Sequence, residues 1–152
     1  MLQVLKALEK EPVGILHLRK AVPRWCKVIH YDGLPTKGTL KQVMGSRYKA
    51  LIIYYNMHDT KMRKLGGVGH YVAILRHQKN IEYFSSYGMQ VAQEVAATHS
   101  DPDRLKRLLG PKILVNKVRL QDKFPNTCGR WALARVMLAD VPLRAFIYFP
   151  KS

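Results

Sequence analysis

QDKFPNTCGRWALARVMLAD, residues 121–140, is the stretch on which the architecture turns. Its first six residues read as a polar loop, and from Thr127 onward apolar residues fall on nearly every side of a helix. A helix that is apolar all round belongs inside a core, not on a surface. Cys128 stands in its first turn, where free N–H groups and partial positive charge favour a thiolate over a thiol. Gly129 beside it permits close approach of another backbone. Cysteine is also a common small core residue, so position alone leaves both readings open.

The segments before this helix read mostly as strands. YKALIIYYN, residues 48–56, is β-branched and aromatic enough for a buried strand. After the polar loop MHDTKMRKLGG comes HYVAIL, residues 70–75, and the turn RHQKN leads into IEYFSS, residues 81–86. The last two strands make a hairpin. Short helices are expected over 39–44 and 91–98, and a clearer one over SDPDRLKRLLG with Asp101 as N-cap and Gly110 as terminator. KILVNKVRL, residues 112–120, is the next strand. HYDGLPTKG, residues 30–38, is a turn-rich loop, residues 13–24 are mixed, and Leu2, Leu5 and Leu8 line one face of a short N-terminal helix. The fold class is therefore α+β, a small and mostly antiparallel sheet packed around the buried helix that carries Cys128.

The 152 residues form a single domain, residues 1–152, because two cores would each be too small. Hydrophobic residues at 47% and charged residues at 24% describe a globular chain. Lys plus Arg number 26 against 10 Asp plus Glu, a net charge of +16. The excess is 13 to 4 up to Gly66 and 13 to 6 beyond it, so it is spread over the fold. Such a field attracts polyanions, nucleic acid first and anionic membrane second. No sequence-reading nucleic-acid motif is present, so binding would go through phosphates and weaken with salt. Two cysteines, Cys26 and Cys128, exclude a disulfide scaffold and suggest a reducing compartment. The apolar runs fall far short of the roughly 18 residues that span a bilayer. The N-terminus has no secretory pattern, so a soluble, intracellular protein is expected.

Three residues carry chemistry. Cys128 is the first. His70 begins a strand after Gly-Gly-Val-Gly, which leaves a strand-end side chain accessible, although a lone histidine is more often structural. Gln121 opens the loop seven residues before Cys128, where its amide could join the Cys128 N–H as an oxyanion hole. Cys26 and His30 have a spacing that zinc ligands use, but no second pair lies nearby, so no metal site is expected. Cys26 reads as a core thiol beside Trp25.

Taken together, GGVGHYVAI (66–74), YFSSYG (83–88) and QDKFPNTCG (121–129) resemble the adenain-like cysteine proteases, the adenovirus-type maturation enzymes, which share a fold with SUMO-deconjugating proteases. The resemblance spans roughly Tyr48 to Leu138, and the order His, Gln, Cys excludes the papain arrangement. It implies Cys128 as nucleophile, His70 as general base and Gln121 as oxyanion donor. Tyr71 stands where the family usually has tryptophan. Ser85 stands where the family has Asp or Glu, so it can orient the ring but supplies no charge. Glu82, three residues earlier, should point to the opposite face.

The resemblance implies an endopeptidase that cleaves viral structural precursor proteins inside a virion or host cell, with small residues beside the scissile bond. It implies no obligatory cofactor, though DNA and a peptide can act as activators, and a monomer with no membrane partner. Only 24 residues follow Cys128, which puts the family's activator-peptide groove in doubt. Two alternatives stand beside it. One is a protease that removes a ubiquitin-like modifier with a Gly-Gly tail. The other is a catalytically silent, basic, DNA-binding structural protein on the same fold, for which Ser85 is the only support.

Overall fold

The computed structural model describes residues 14–56, 69–88, 91, 94, 103–120 and 128–148. In chain order the elements are α1 (Ile15–Ala21), β1 (Cys26–His30), a 3-10 turn (Tyr31–Gly33), α2 (Leu40–Met44), β2 (Ala50–Asn56), β3 (Gly69–Arg76) and β4 (Ile81–Phe84), followed by α3 (Arg104–Leu109), β5 (Ile113–Val115), α4 (Cys128–Met137) and α5 (Leu143–Tyr148). Val91 and Glu94 also have helical backbone. The α+β class expected from the sequence is what the chain adopts.

The sheet order is β1-β2-β3-β4-β5. Its centre is antiparallel, as expected: β2 pairs with β3, and β3 with β4. Each edge strand is added in parallel, β1 on β2 and β5 on β4, so the sheet as a whole is mixed. Parallel neighbours need a crossover, and these run through the 3-10 turn and α2 on one side and through α3 on the other. The hairpin between β3 and β4 closes with the His77 N–H donating to Asn80 O at 2.8 Å.

Helices cover both faces. On the first face Ala50, Ile52, Tyr71, Ala73, Leu75 and Phe84 pack against Leu18 of α1, Trp131 and Val136 of α4, and Phe146 of α5. On the second, Leu51, Ile53, Tyr55, Val72, Ile74 and Tyr83 meet Leu40 and Met44 of α2 and Leu105, Leu108 and Leu109 of α3. A strand buried on both sides loses its polar alternation, which is why LIIYY reads as one apolar run. Thr39 starts α2 with a full capping box against Gln42. Gly110 ends α3 with φ 73°, a conformation glycine adopts without strain. The expected N-cap Asp101, the helix over Leu2, Leu5 and Leu8, and Gln121 lie outside the described residues.

Every residue of α4 from Cys128 to Val136 is buried, including Arg130 and Arg135. Arg135 is held by Glu82 of β4 through two bonds, Nε to Oε2 at 2.7 Å and Nη2 to Oε1 at 2.8 Å. Its remaining Nη1 donates to Leu138 O at 3.0 Å and Val141 O at 2.7 Å. The pair bolts α4 to the first face and pins the turn into α5. Glu82 therefore faces away from His70, as strand alternation requires.

Candidate active site

The site forms where the start of β3 meets the start of α4. His70 is the second residue of β3, directly opposite Tyr55 of β2. Alternation turns its ring to the second face, away from its neighbour Tyr71. Cys128, the first residue of α4, belongs to the first-face core. The two side chains consequently approach each other around the end of the sheet rather than through it. Both are almost fully buried, Cys128 at 5% and His70 at 2% exposure.

The imidazole is tightly enclosed. Tyr87 lies with its ring 4.9 Å away, and Tyr55 stacks at 6.1 Å and 12°. Nε2 forms an ion pair with Glu94 Oε2. Ser85 Oγ lies 3.4 Å from the same nitrogen, at the outer limit of a hydrogen bond. Nδ1 is buried without a conventional hydrogen bond.

Burial alone would lower the basicity of this histidine, and it is the largest single influence. The Glu94 carboxylate, hydrogen bonding to Cys128 and Glu94, and the charge of Cys128 outweigh it together, raising the His70 pKa from 6.5 to about 10. The surroundings of the ring thus favour its protonated form.

Ser85 was expected to leave the ring without a carboxylate. The structure corrects this: Glu94, nine residues further on, supplies the charge that position 85 lacks. Ser85 keeps a mainly architectural place. Asn116 grips its backbone on both sides, accepting from Ser85 N at 2.9 Å and donating to Ser85 O. Ser85 Oγ accepts from Tyr87 N at 3.3 Å, and Gly88 N donates to Ser85 O at 2.9 Å, forming a tight turn. Gly88, at φ 68°, closes it where a Cβ would strike the Val118 backbone at 2.9 Å. Leu120 N then donates to Ser86 O at 2.8 Å, tying the chain just before Gln121 to this turn.

Tyr71 does the packing expected of an aromatic after the histidine. A Cβ at Gly129 would lie 3.1 Å from its Cδ2, so the small residue after Cys128 lets α4 settle on β3. Tyr54 packs on Tyr71 at 4.9 Å. Burial first, then the charge of Cys128, raises the Tyr54 phenol.

Cys26 and His30 stand at opposite ends of β1, about 13 Å apart along an extended strand, so they cannot share a metal. Among the described residues no cluster of three His, Cys, Asp or Glu side chains could hold a metal ion. Burial pushes the Cys26 thiol up to about 12, against which a backbone hydrogen bond from Ile52 works weakly. Of the Arg47-Tyr48-Lys49 triplet, Arg47 lies over the Tyr48 ring at 5.3 Å, as does Lys27 at 5.8 Å. No helix among the described residues is long and apolar enough to cross a membrane.

No family model matches the chain, and no curated protein does. Among solved structures, ChlaDub1 from Chlamydia trachomatis is similar at 14% identity and a TM-score of 0.33, over 96% of this chain and 70% of that one. This is a loose likeness that carries no argument, and the adenain-like resemblance rests on the three sequence motifs alone, without confirmation from these comparisons.

Proposed function

We propose that the chain is a thiol peptidase in which Cys128, His70 and Glu94 act as nucleophile, acid–base and charge partner. The observation that carries this is the His70 ring held between a buried carboxylate on Nε2 and the thiol of a helix N-terminus. Imidazolium and thiolate would form the reactive pair. The sulfur attacks the scissile carbonyl carbon, and the C–N bond breaks as His70 passes its proton to the leaving amine. Water, deprotonated by the neutral ring, then releases the acyl group and restores the pair. The Cys128 N–H and Gln121 would hold the oxyanion in the intermediates.

The adenain-like resemblance implies small residues, glycine first, beside the scissile bond. That fits two substrate classes. Cleavage of viral structural precursors is supported by the +16 charge, which suits work among nucleic acid, bound nonspecifically through phosphates. Removal of a ubiquitin-like modifier fits the same preference, because such a modifier ends in a Gly-Gly tail. The silent structural reading loses its one support, since Glu94 brings the carboxylate that Ser85 does not.

Peptide-library cleavage read by mass spectrometry, wild type against Cys128→Ala, with and without duplex DNA, tests the reading. Glycine-flanked cleavage that vanishes in the variant is expected. Selective processing of a modifier conjugate would choose the second substrate class. Cleavage that persists in Cys128→Ala would sink the proposal, and DNA affinity unchanged by salt would remove the nucleic-acid part.

A further inference from the structure

Behind Glu94 lie two buried hydroxyls that the thiol chemistry does not touch. Tyr83 donates to Glu94 Oε1 at 3.1 Å, leaving Oε2 for His70. The Tyr55 and Tyr83 hydroxyls are 3.1 Å apart. A phenol has one proton, and Tyr83 gives it to the carboxylate, so Tyr55 must donate to Tyr83. The order is fixed: Tyr55 to Tyr83 to Glu94, with every donor aimed at the anion.

This chain has a clear physical task. A carboxylate buried away from water depends on the protein for its hydrogen bonds, and Glu94 is almost fully buried. The Tyr83 hydroxyl supplies one of them, and each donor in a series polarises the next. The arrangement is also rigidly built. Tyr55 is the cross-strand partner of His70, so one residue stacks on the imidazole and supports the carboxylate from behind. Tyr31 packs on Tyr55 at 5.3 Å, and its hydroxyl accepts from Leu105 N at 3.3 Å, anchoring the series to α3.

We propose that Tyr83, backed by Tyr55, is a positioning residue that holds one oxygen of Glu94 and keeps the second turned to His70. The catalytic consequence rests on the peptidase reading, while the effect on the His70–Glu94 couple does not. The groups facing that couple are Ser85, Cys128, Tyr55, Tyr83 and Tyr87, with Arg119 stacked over the Tyr87 ring at 5.3 Å.

The test compares the full-length chain with Tyr83→Phe and Tyr55→Phe. Two readouts serve: the His70 imidazole titration by NMR, and the pH dependence of Cys128 alkylation by iodoacetamide. Cys26, raised to about 12, stays silent over the neutral range. Losing a hydrogen bond to a charged group should move the His70 midpoint down by about one unit in Tyr83→Phe, and by less in Tyr55→Phe. Unmoved midpoints in both folded variants overturn the proposal. Should Tyr83→Phe fail to fold, the Tyr55→Phe titration decides alone, a downward shift supporting and an unchanged value overturning it. A shifted midpoint in a chain that cleaves no peptide keeps this role and sinks the peptidase reading. Cleavage by wild type and Tyr83→Phe with the same pH profile and the same midpoint does the reverse.

Discussion

Glu82 and Glu94 are both buried carboxylates, at 0% and 4% exposure, and they serve opposite faces of one sheet. Glu82 meets a guanidinium that does not lose its proton, through two parallel bonds, and its oxygens also accept from His77 at 2.9 Å. Glu94 meets an imidazole, whose charge can be given up and recovered. The first pair is a permanent strut between sheet and helix. The second is a couple whose proton can move, set beside a thiol. Burial of a charge thus says little by itself about role, whereas the titration range of its partner says a good deal.

The largest expected effect breaks the strut. Arg135→Met removes both guanidinium bonds and leaves buried Glu82 with His77 alone, which should cost about 3–5 kcal/mol of unfolding free energy in urea titration. The double variant Arg135→Met with Glu82→Leu should regain most of that, because a buried pair replaced by apolar groups is often neutral. Failure of the double variant to recover would mean that the bonds to Leu138 O and Val141 O matter more than the ion pair.

Glu94→Gln should behave in the opposite way. It should leave the fold intact and lower kcat by about a hundredfold, within the usual range for losing acid–base catalysis. Its alkaline limb should move down from about 10, since the imidazolium loses its partner. Equal kcat in the two proteins would erase the distinction between the carboxylates.

A third comparison moves the charge. Ser85→Asp alone sets a second carboxylate at the same Nε2 and should lower activity, by roughly tenfold, as like charges crowd one site. Combined with Glu94→Gln it should recover activity, placing the acid where the adenain-like pattern has it. A double variant no better than Glu94→Gln would show that only position 94 gives the right geometry.

A last effect is in stability against pH. The folded-state value of His70 lies above its ordinary 6.5, so the couple stabilises the fold fully below about 6.5 and loses that contribution as pH rises through about 10. The urea midpoint of wild type should fall over that window more than that of Glu94→Gln. Parallel curves would mean that the couple contributes nothing to folding.

Much of this was legible in the sequence, and the omissions have physical causes. The antiparallel centre could be read because a hairpin is local: two β-rich runs and a short turn suffice. β1 could not, because a parallel edge strand announces itself by no turn, and its five residues lie between a mixed segment and a loop. The expected strand over 112–120 shrinks to Ile113–Val115 because Asn116 leaves the ladder to hold Ser85. His70 and Cys128 were singled out from local signals and Ser85 through the family resemblance, and the fold brings the three together. Glu94 was missed because the motif directs attention to position 85. One signal did exist: Glu94 stands three residues after Val91, on the helical face that Val91 buries, and a carboxylate on an apolar face needs a partner.

The Asn116 clamp has an evolutionary consequence. It holds the backbone of residue 85 by that residue's own amide and carbonyl, so the larger part of the turn's support is independent of the side chain there. A small side chain that still accepts from Tyr87 N can be exchanged at 85 with the turn kept. An acid at 94 then allows the one at 85 to lapse without loss of the fold. A search that demands the acid at a fixed offset from the histidine would discard such a descendant as a dead enzyme.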